Sequence, residues 1–511
     1  MTSNNQRADP RSIAGVLETT ALIGFLIYAM AAPHSIAGSW IGISIVILVW
    51  LIRTIVTRRT GFRQSAIDLP LWLFFGWTVL SSVFSIEPRQ SIPKLINVAT
   101  FLMFYLAQAM LTRKTAVMVA VMLIASASAG VLWGAGELIL GRGVIVSELS
   151  DNSSLRLDTP LQAGDVVWRV NGQRVSSSAE IDELIRATPP GQRARLSVIS
   201  HGEHVEWPGV LVTEEMRHAV SPSGIVGGGR THNFRASGWT RHYETFAEVL
   251  QIIGQLAFAF AVVRWRSVSA AKNSSRRMSL QLILAALAFV IVAAGIALTA
   301  MRTTLLAFAF GMFVMTWRIS ASRRQRFVFA GLGILILVLG IGVVWRTRAR
   351  GALALQDPSA STRLQVARVA ARRVILHPVL GHGMDAMHEH WNEWGFPGKD
   401  MLDAHSTPIQ IAFDRGVPGL GLWLWLMYVF WRLATRTEKK VQGESPAIHG
   451  LILGIIGALA GFLLSSLVNY NFGDSEVALL LWWIMGVAVI IDKASLPASE
   501  EAKSSTSQST I

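Results

Sequence analysis

Twelve apolar stretches dominate the sequence, each close to the ~20 residues that a helix needs to cross a bilayer. They fall at 16–36, 39–57, 68–86, 95–112, 115–139, 244–265, 279–300, 302–319, 327–346, 408–431, 447–469 and 474–492. With 52% hydrophobic and only 15% charged residues in 511, the chain lies far outside a soluble profile and reads as an all-α polytopic membrane protein of about 12 transmembrane helices.

The charges give the topology. Loop two carries Arg53, Arg58, Arg59 and Arg63; loop four Arg113 and Lys114; loop six Arg264, Arg266, Lys272, Arg276 and Arg277; loop eight Arg318, Arg323, Arg324 and Arg326; loop ten Arg432, Arg436, Lys439 and Lys440. The short odd-numbered loops are not basic. The positive-inside rule then puts both termini in the cytoplasm and the odd-numbered loops outside. Arg7 and Arg11 precede the first apolar run, which reads as a retained membrane helix. The formal net charge of +14 sits mostly in these short loops rather than on a folded basic face, which argues against a nucleic-acid partner. There is no cysteine, so disulfides, iron–sulfur clusters and thiol catalysis are excluded.

The expected organisation is 1–140 for helices 1–5, 141–243 for an outward insertion, 244–346 for helices 6–9, 347–407 for a long helical outward loop, 408–493 for helices 10–12, and 494–511 for a disordered cytoplasmic tail. The insertion, at about 145–215, changes character. Leu161 to Gly172 is a turn, an alternating strand and an Asn-Gly hairpin signal; Ser176-Ser177-Ser178 caps an amphipathic helix to Ala187; Ala194–Ile199 and Val205–Val212 read as strands. This order resembles the C-terminal part of a bacterial PDZ domain, a small α+β module. The Gly-Leu-Gly-like peptide-binding turn of such domains is not recognisable in Ser147 to Pro160. Two readings stay open: a structural cap, or a module that captures a partner's tail by strand addition.

Three outward-facing arginines stand out: Arg235 before the sixth helix, Arg302 at a helix junction with almost no loop, and Arg363 in the second long loop. Any one can be a snorkelling interface residue; a convergent pair suits phosphate oxygens. His382, His388, His390 and His405 share that second loop, with Glu389, Glu393 and Asp403 nearby, yet their spacing makes a weak metal site and no metal or other cofactor is expected. His405 can open a helix at Ser406-Thr407-Pro408 or act as a base near neutral pH. Trp391, Trp394 and Phe396 can stack on sugars or anchor the loop at the interface.

His405-Ser406, nine residues, then Gly416-Val417-Pro418-Gly419 resembles the signature of the O-antigen ligase and O-antigen polymerase superfamily of bacterial membrane glycosyltransferases. "HPVLGHG" at His377–Gly383, "RASGWTRHYETFAEVL" from Arg235 and "LTAMRTTLLAF" around Arg302 are similar to further segments of that family, with Tyr243-Glu244 and Met301 as departures. The resemblance implies a multi-pass enzyme of the bacterial inner membrane with its large loops in the periplasm. It implies a metal-independent, inverting transfer of a glycan from undecaprenyl diphosphate. Arg235 and Arg302 would hold the diphosphate, His405 would orient or deprotonate the acceptor hydroxyl, and Arg363, His382, Trp391 and Trp394 would contact substrate. The acceptor is lipid A–core sugar, another lipid-linked repeat, or a protein hydroxyl. A lipid-linked glycan transporter and a non-catalytic assembly scaffold are the rival classes. The transporter would require more charged groups inside helices than the obvious Glu137 and Glu248.

Overall fold

The computed structural model describes residues 13–150, 153, 155, 159–200, 203–226, 228–240, 242–271, 275–320, 322, 324, 326, 327, 331, 335, 338, 358–398 and 402–495. The ninth expected span and the tail beyond Ser495 lie largely outside them. The described chain is mostly helical. In order come α1 (Ile13–Ala31), α2 (Ile36–Thr57), α3 (Asp68–Val83), α4 (Pro88–Val98), α5 (Leu102–Met110) and α6 (Arg113–Leu140). Strands β1 (Val144–Ile145), β2 (Glu148–Leu149), β3 (Val166–Val170) and β4 (Gln173–Arg174), helix α7 (Ser178–Ala187), strands β5 (Arg193–Ser200) and β6 (Glu203–Leu211), helix α8 (Glu214–His218) and strand β7 (Ile225–Val226) follow. Then come α9 (Tyr243–Ala270), α10 (Arg276–Leu298), α11 (Arg302–Ile319), α12 (Pro358–Val374), α13 (Ala386–Glu389), α14 (Thr407–Val441), α15 (Pro446–Ser465) and α16 (Ser475–Lys493).

Among the described residues, eight helical stretches are long and apolar enough to cross a membrane, and Gly15–Ala31 and Asp68–Val83 are shorter apolar helices. That makes a polytopic membrane protein. The fourth stretch is interrupted: α4 contains Pro93, which cannot donate a backbone bond, and a 3-10 turn at Ala99–Phe101 separates it from α5. The basic loop ends find acids on neighbouring helix ends. Arg113 pairs with Glu444 at 2.7 Å, Arg318 with Glu438 at 2.7 Å and Lys440 with Asp492 at 2.7 Å. Those ends of α6, α11, α14, α15 and α16 therefore share one side of the bundle, and the first turns of α11 and α14 lie at the other.

Two compact units emerge. The first comprises residues 1–130, 244–297 and 301–511; the second comprises 131–243 and 298–300. In the second, an antiparallel sheet runs β1-β3-β5-β6, with β4 hairpinned onto β3 and a separate β2-β7 pair. Ser177 caps α7 by accepting from the Glu180 amide at 3.2 Å, and Glu180 reaches back to the Ser176 amide at 2.8 Å. Ile181 and Ile185 on the buried face of α7 pack with Val167, Val170, Leu196 and Val198 of the sheet.

Candidate active site

The site is built on a break in α14. Gly416 sits at φ 70 and ψ 177 inside that helix, and Pro418 follows two residues later. The sequence reads Gly416–Gly419 as a turn before the membrane segment. It is instead a kink within one long helix, because glycine tolerates the left-handed region and the proline removes a donor. Four backbone groups around the kink are taken up outside the helix. The Val417 amide donates to Pro378 O at 2.7 Å, Phe413 O accepts from the His382 amide at 2.7 Å, Asp414 O accepts from the Gly383 amide at 3.0 Å, and Arg415 O accepts from Trp77 Nε1 at 2.8 Å. Residues 377–383 thus lie as a strap in the kink.

His405 stands two residues before α14. Its backbone has φ 49, its amide donates to Asp403 Oδ1 at 2.7 Å, and its Nδ1 lies 3.5 Å from the same oxygen. Its Nε2 is buried with no hydrogen-bond partner among the described residues. Burial holds the imidazole below its ordinary 6.5, opposed by the Asp403 carboxylate, so the ring is neutral near pH 7. Burial also raises Asp403. Arg363 donates to Glu244 Oε1 at 2.8 Å, and both charges act on the His405 ring.

Asn469 joins the arginine end of the site to the histidine end. Its Nδ2 donates to Thr303 Oγ1 at 3.2 Å, beside Arg302, and to Glu248 Oε1 at 2.9 Å. Its carbonyl accepts from the Thr407 amide at 3.1 Å and from Thr407 Oγ1 at 3.0 Å. Glu248 also accepts from Thr304 at 3.1 Å, from Ser465 and from Asn471 at 3.4 Å. A carboxylate inside a membrane helix is costly alone and tolerable with four donors. Arg302, half-buried at the first position of α11, is held at this end.

His382, Trp391 and Trp394 pack among the aromatic residues around Phe413 rather than in the Glu248–Asn469 hydrogen-bond network. His382 is fully buried, stacked on Phe413 at 4.5 Å and edge-on to Trp394 at 4.9 Å. Trp391 is buried and stacked on Phe396 at 4.8 Å. Trp394 stacks on His390 at 4.5 Å with the Arg373 guanidinium 4.9 Å from its ring centre. His390 bonds Glu393 at 2.6 Å and Glu87 at 3.2 Å, the first of these chiefly raising its imidazole above 6.5. Among the described residues no three His, Asp or Glu are placed to hold a metal. Arg235 belongs to the second unit, where its guanidinium lies 4.1 Å from the Tyr243 ring centre.

Sequence reasoning missed Asn469, Asn471, Ser465, Asp414 and Arg415. The last two form a buried pair at 3.3 Å, with Arg415 Nε also on Thr78 at 3.2 Å. Together with Lys94, itself 3.0 Å from Asp385, they line a cavity of about 200 Å³ that also touches Leu402, Gln410 and Tyr470. Two cations meet two carboxylates there. A buried Asp-Arg doublet next to the Gly-Val-Pro-Gly motif was the available signal.

Residues 287–424 match the family described as O-antigen ligase, a span that takes in Arg302, Arg363, His382, His405 and Gly416. A probable periplasmic serine endoprotease DegP-like of Halomonas elongata is 38% identical over 63 residues, which is 12% of this chain and 13% of that protein. The family match supports a ligase-like, glycosyltransferase-type function, with lipid-linked glycan and acceptor as its partners in general.

Proposed function

We propose that this protein transfers a glycan from undecaprenyl diphosphate to an acceptor hydroxyl on the periplasmic side of the bacterial inner membrane. The observation that carries the reading is His405: a neutral imidazole with an unpartnered, buried Nε2, oriented from the other side by Asp403. Nε2 takes the proton of the acceptor hydroxyl as its oxygen bonds to the anomeric carbon. The bond from that carbon to the diphosphate oxygen breaks on the opposite face, so configuration inverts and undecaprenyl diphosphate leaves. Arg302 and Arg235 bind the diphosphate and stabilise the charge it gains, a role in which guanidinium forks replace a metal ion. Arg363, tied to Glu244, sets the field around the ring. The charge-balanced cavity beside Leu402 and Gln410 suits a hydroxyl-rich glycan better than a second phosphate. His382, Trp391 and Trp394 act from beneath, by supporting Phe413 and the strap.

The test is a purified-protein assay with a lipid-linked glycan donor, reading release of undecaprenyl diphosphate while lipid A–core, a second lipid-linked repeat and a hydroxyl-bearing protein are added one at a time. Turnover that is lost in His405→Ala and Arg302→Ala supports the reading, and the acceptor that sustains it separates ligase, polymerase and protein transferase. Full activity in His405→Ala removes the base. Donor binding without release on any acceptor shifts the reading to a transporter or an assembly scaffold.

A further inference from the structure

A cavity of about 650 Å³ in the first unit has a cationic wall. Arg318, near the end of α11, and Tyr428, Arg432, Leu433, Arg436 and Lys439 of α14 line it. Positions 428, 432, 436 and 439 recur at helical spacing and so share one face of α14. Ala434, Thr437, Glu438 and Val441 are buried on the opposite face. Three other cations on this side of the bundle have acids: Arg113 has Glu444, Arg318 has Glu438 and Lys440 has Asp492. Arg432, Arg436 and Lys439 pair with no carboxylate among the described residues, and Arg432 donates to the Tyr428 hydroxyl at 3.1 Å. Glu438 does not serve them. It is buried and already accepts from Arg318 at 2.7 Å, from Gln442 at 2.7 Å and from His449 at 3.3 Å. Arginines four residues apart on one helix face repel each other. An anion in the cavity turns that repulsion into attraction.

We propose that this cavity binds the phosphodiester headgroup of an anionic glycerophospholipid. The guanidinium forks of Arg432 and Arg436 match phosphate oxygens, and Lys439 adds a point charge. The rest of the wall favours a lipid over a soluble anion. Val429 and Leu433 give it an apolar side for the start of the acyl chains. Tyr428, and Trp425 one turn earlier on the same face, are exposed aromatic residues of the kind that settle at the headgroup level of a bilayer. The cations begin one turn beyond Tyr428, where phosphates lie. Basic pockets between membrane helices recognise anionic headgroups in this way. Arg318 of α11 shares the cavity with the cations of α14, so one bound headgroup touches both helix ends and stabilises the folded chain by mass action.

The test uses the full chain, purified and delipidated in detergent, titrated with labelled phosphatidylglycerol, with phosphatidylcholine as the zwitterionic control and inorganic phosphate as the soluble competitor. The wild type should bind phosphatidylglycerol saturably and melt at a higher temperature with it than with phosphatidylcholine. Arg432→Gln/Arg436→Gln should weaken that binding about 30-fold. Arg276→Gln/Arg277→Gln removes the same charge from exposed positions outside the cavity and should leave the affinity unchanged. A lipid-free melt shows whether each variant is folded. If the glutamine pair is not, the exposed Lys439→Gln carries the test, with a loss of about fivefold. Equal affinity for phosphatidylcholine, unchanged affinity in the folded cavity variant, or displacement of the lipid by inorganic phosphate overturns the proposal.

Discussion

His382 and His405 belong to the same stretch of the first unit, between α11 and α14, and both have buried ring nitrogens with no hydrogen-bond partner among the described residues. Their surroundings differ. His382 is walled by Phe413, Trp394 and His377, and burial pushes its imidazole down to about 4. His405 has Asp403 on one side and the Arg363–Glu244 pair nearby, so its positive form, once made, is met by charge. Burial alone makes a histidine a costly hydrophobe. Burial beside a placed carboxylate makes it a base.

The largest expected contrast separates the two by alanine. His405→Ala should lower kcat about 10²–10⁴-fold with little change in thermal midpoint, whereas His382→Ala should cost about 3 kcal/mol of stability and leave the activity of the folded fraction. Equal activity losses in both would erase the distinction.

A smaller, purely conformational effect should appear at the kink into which the His382 backbone is bonded. Gly416→Ala puts a Cβ 2.0 Å from Val379 O at a φ of 70, so about 2–3 kcal/mol of stability should be lost in a detergent melt. A wild-type melt would mean that the strap does not seat in α14.

His382→Phe sharpens the comparison further. It conserves ring volume and removes two unpartnered nitrogens, so at pH 7.5 the melt should move by less than about 1.5 kcal/mol. The unfolded histidine binds a proton below its ordinary 6.5 and the folded one only below about 4, so wild type loses stability as pH falls across that window. The advantage of His382→Phe should widen there, and a gap independent of pH would contradict it.

The smallest effect concerns pH and rate. His405 must be neutral to accept a proton, so the acid limb of kcat/KM should lie below 6.5 in the wild type. Asp403 raises that ring's affinity for a proton, so Asp403→Asn should carry the limb to still lower pH while lowering kcat. A limb that moves upward would reverse the assigned role of the carboxylate.

Much of this was readable from the chain. Apolar runs and alternating basic loops place helices at eleven of the twelve expected positions, since length and desolvation act locally along a sequence. His405 and Gly416 stood out through their spacing and Arg302 through the near-absence of a loop around it, while the place of Gly416 inside one long helix was not legible. The supporting residues were not. Asn469 and Asn471 lie in a short, unremarkable stretch after α15, and their importance exists only because Glu248, Thr303 and Thr407 arrive from three other helices. Trp391 and Trp394 looked suited to substrate or to anchoring the loop at the interface, because an aromatic in a polar loop carries no mark of which way it faces. In the insertion, Glu148 and Leu149 pair with Val226 and Ile225, a contact that the chain does not announce because its two strands are far apart in sequence.

The strap in the α14 kink has a consequence for how such a site could diversify. Its three strap contacts run from main chain to main chain. The Val379 side chain contributes nothing to them and is 58% exposed, so the seam constrains the path of the loop more than its side chains. Side chains along the strap can therefore change without moving the α14 kink, as interchangeable type is set in a fixed frame.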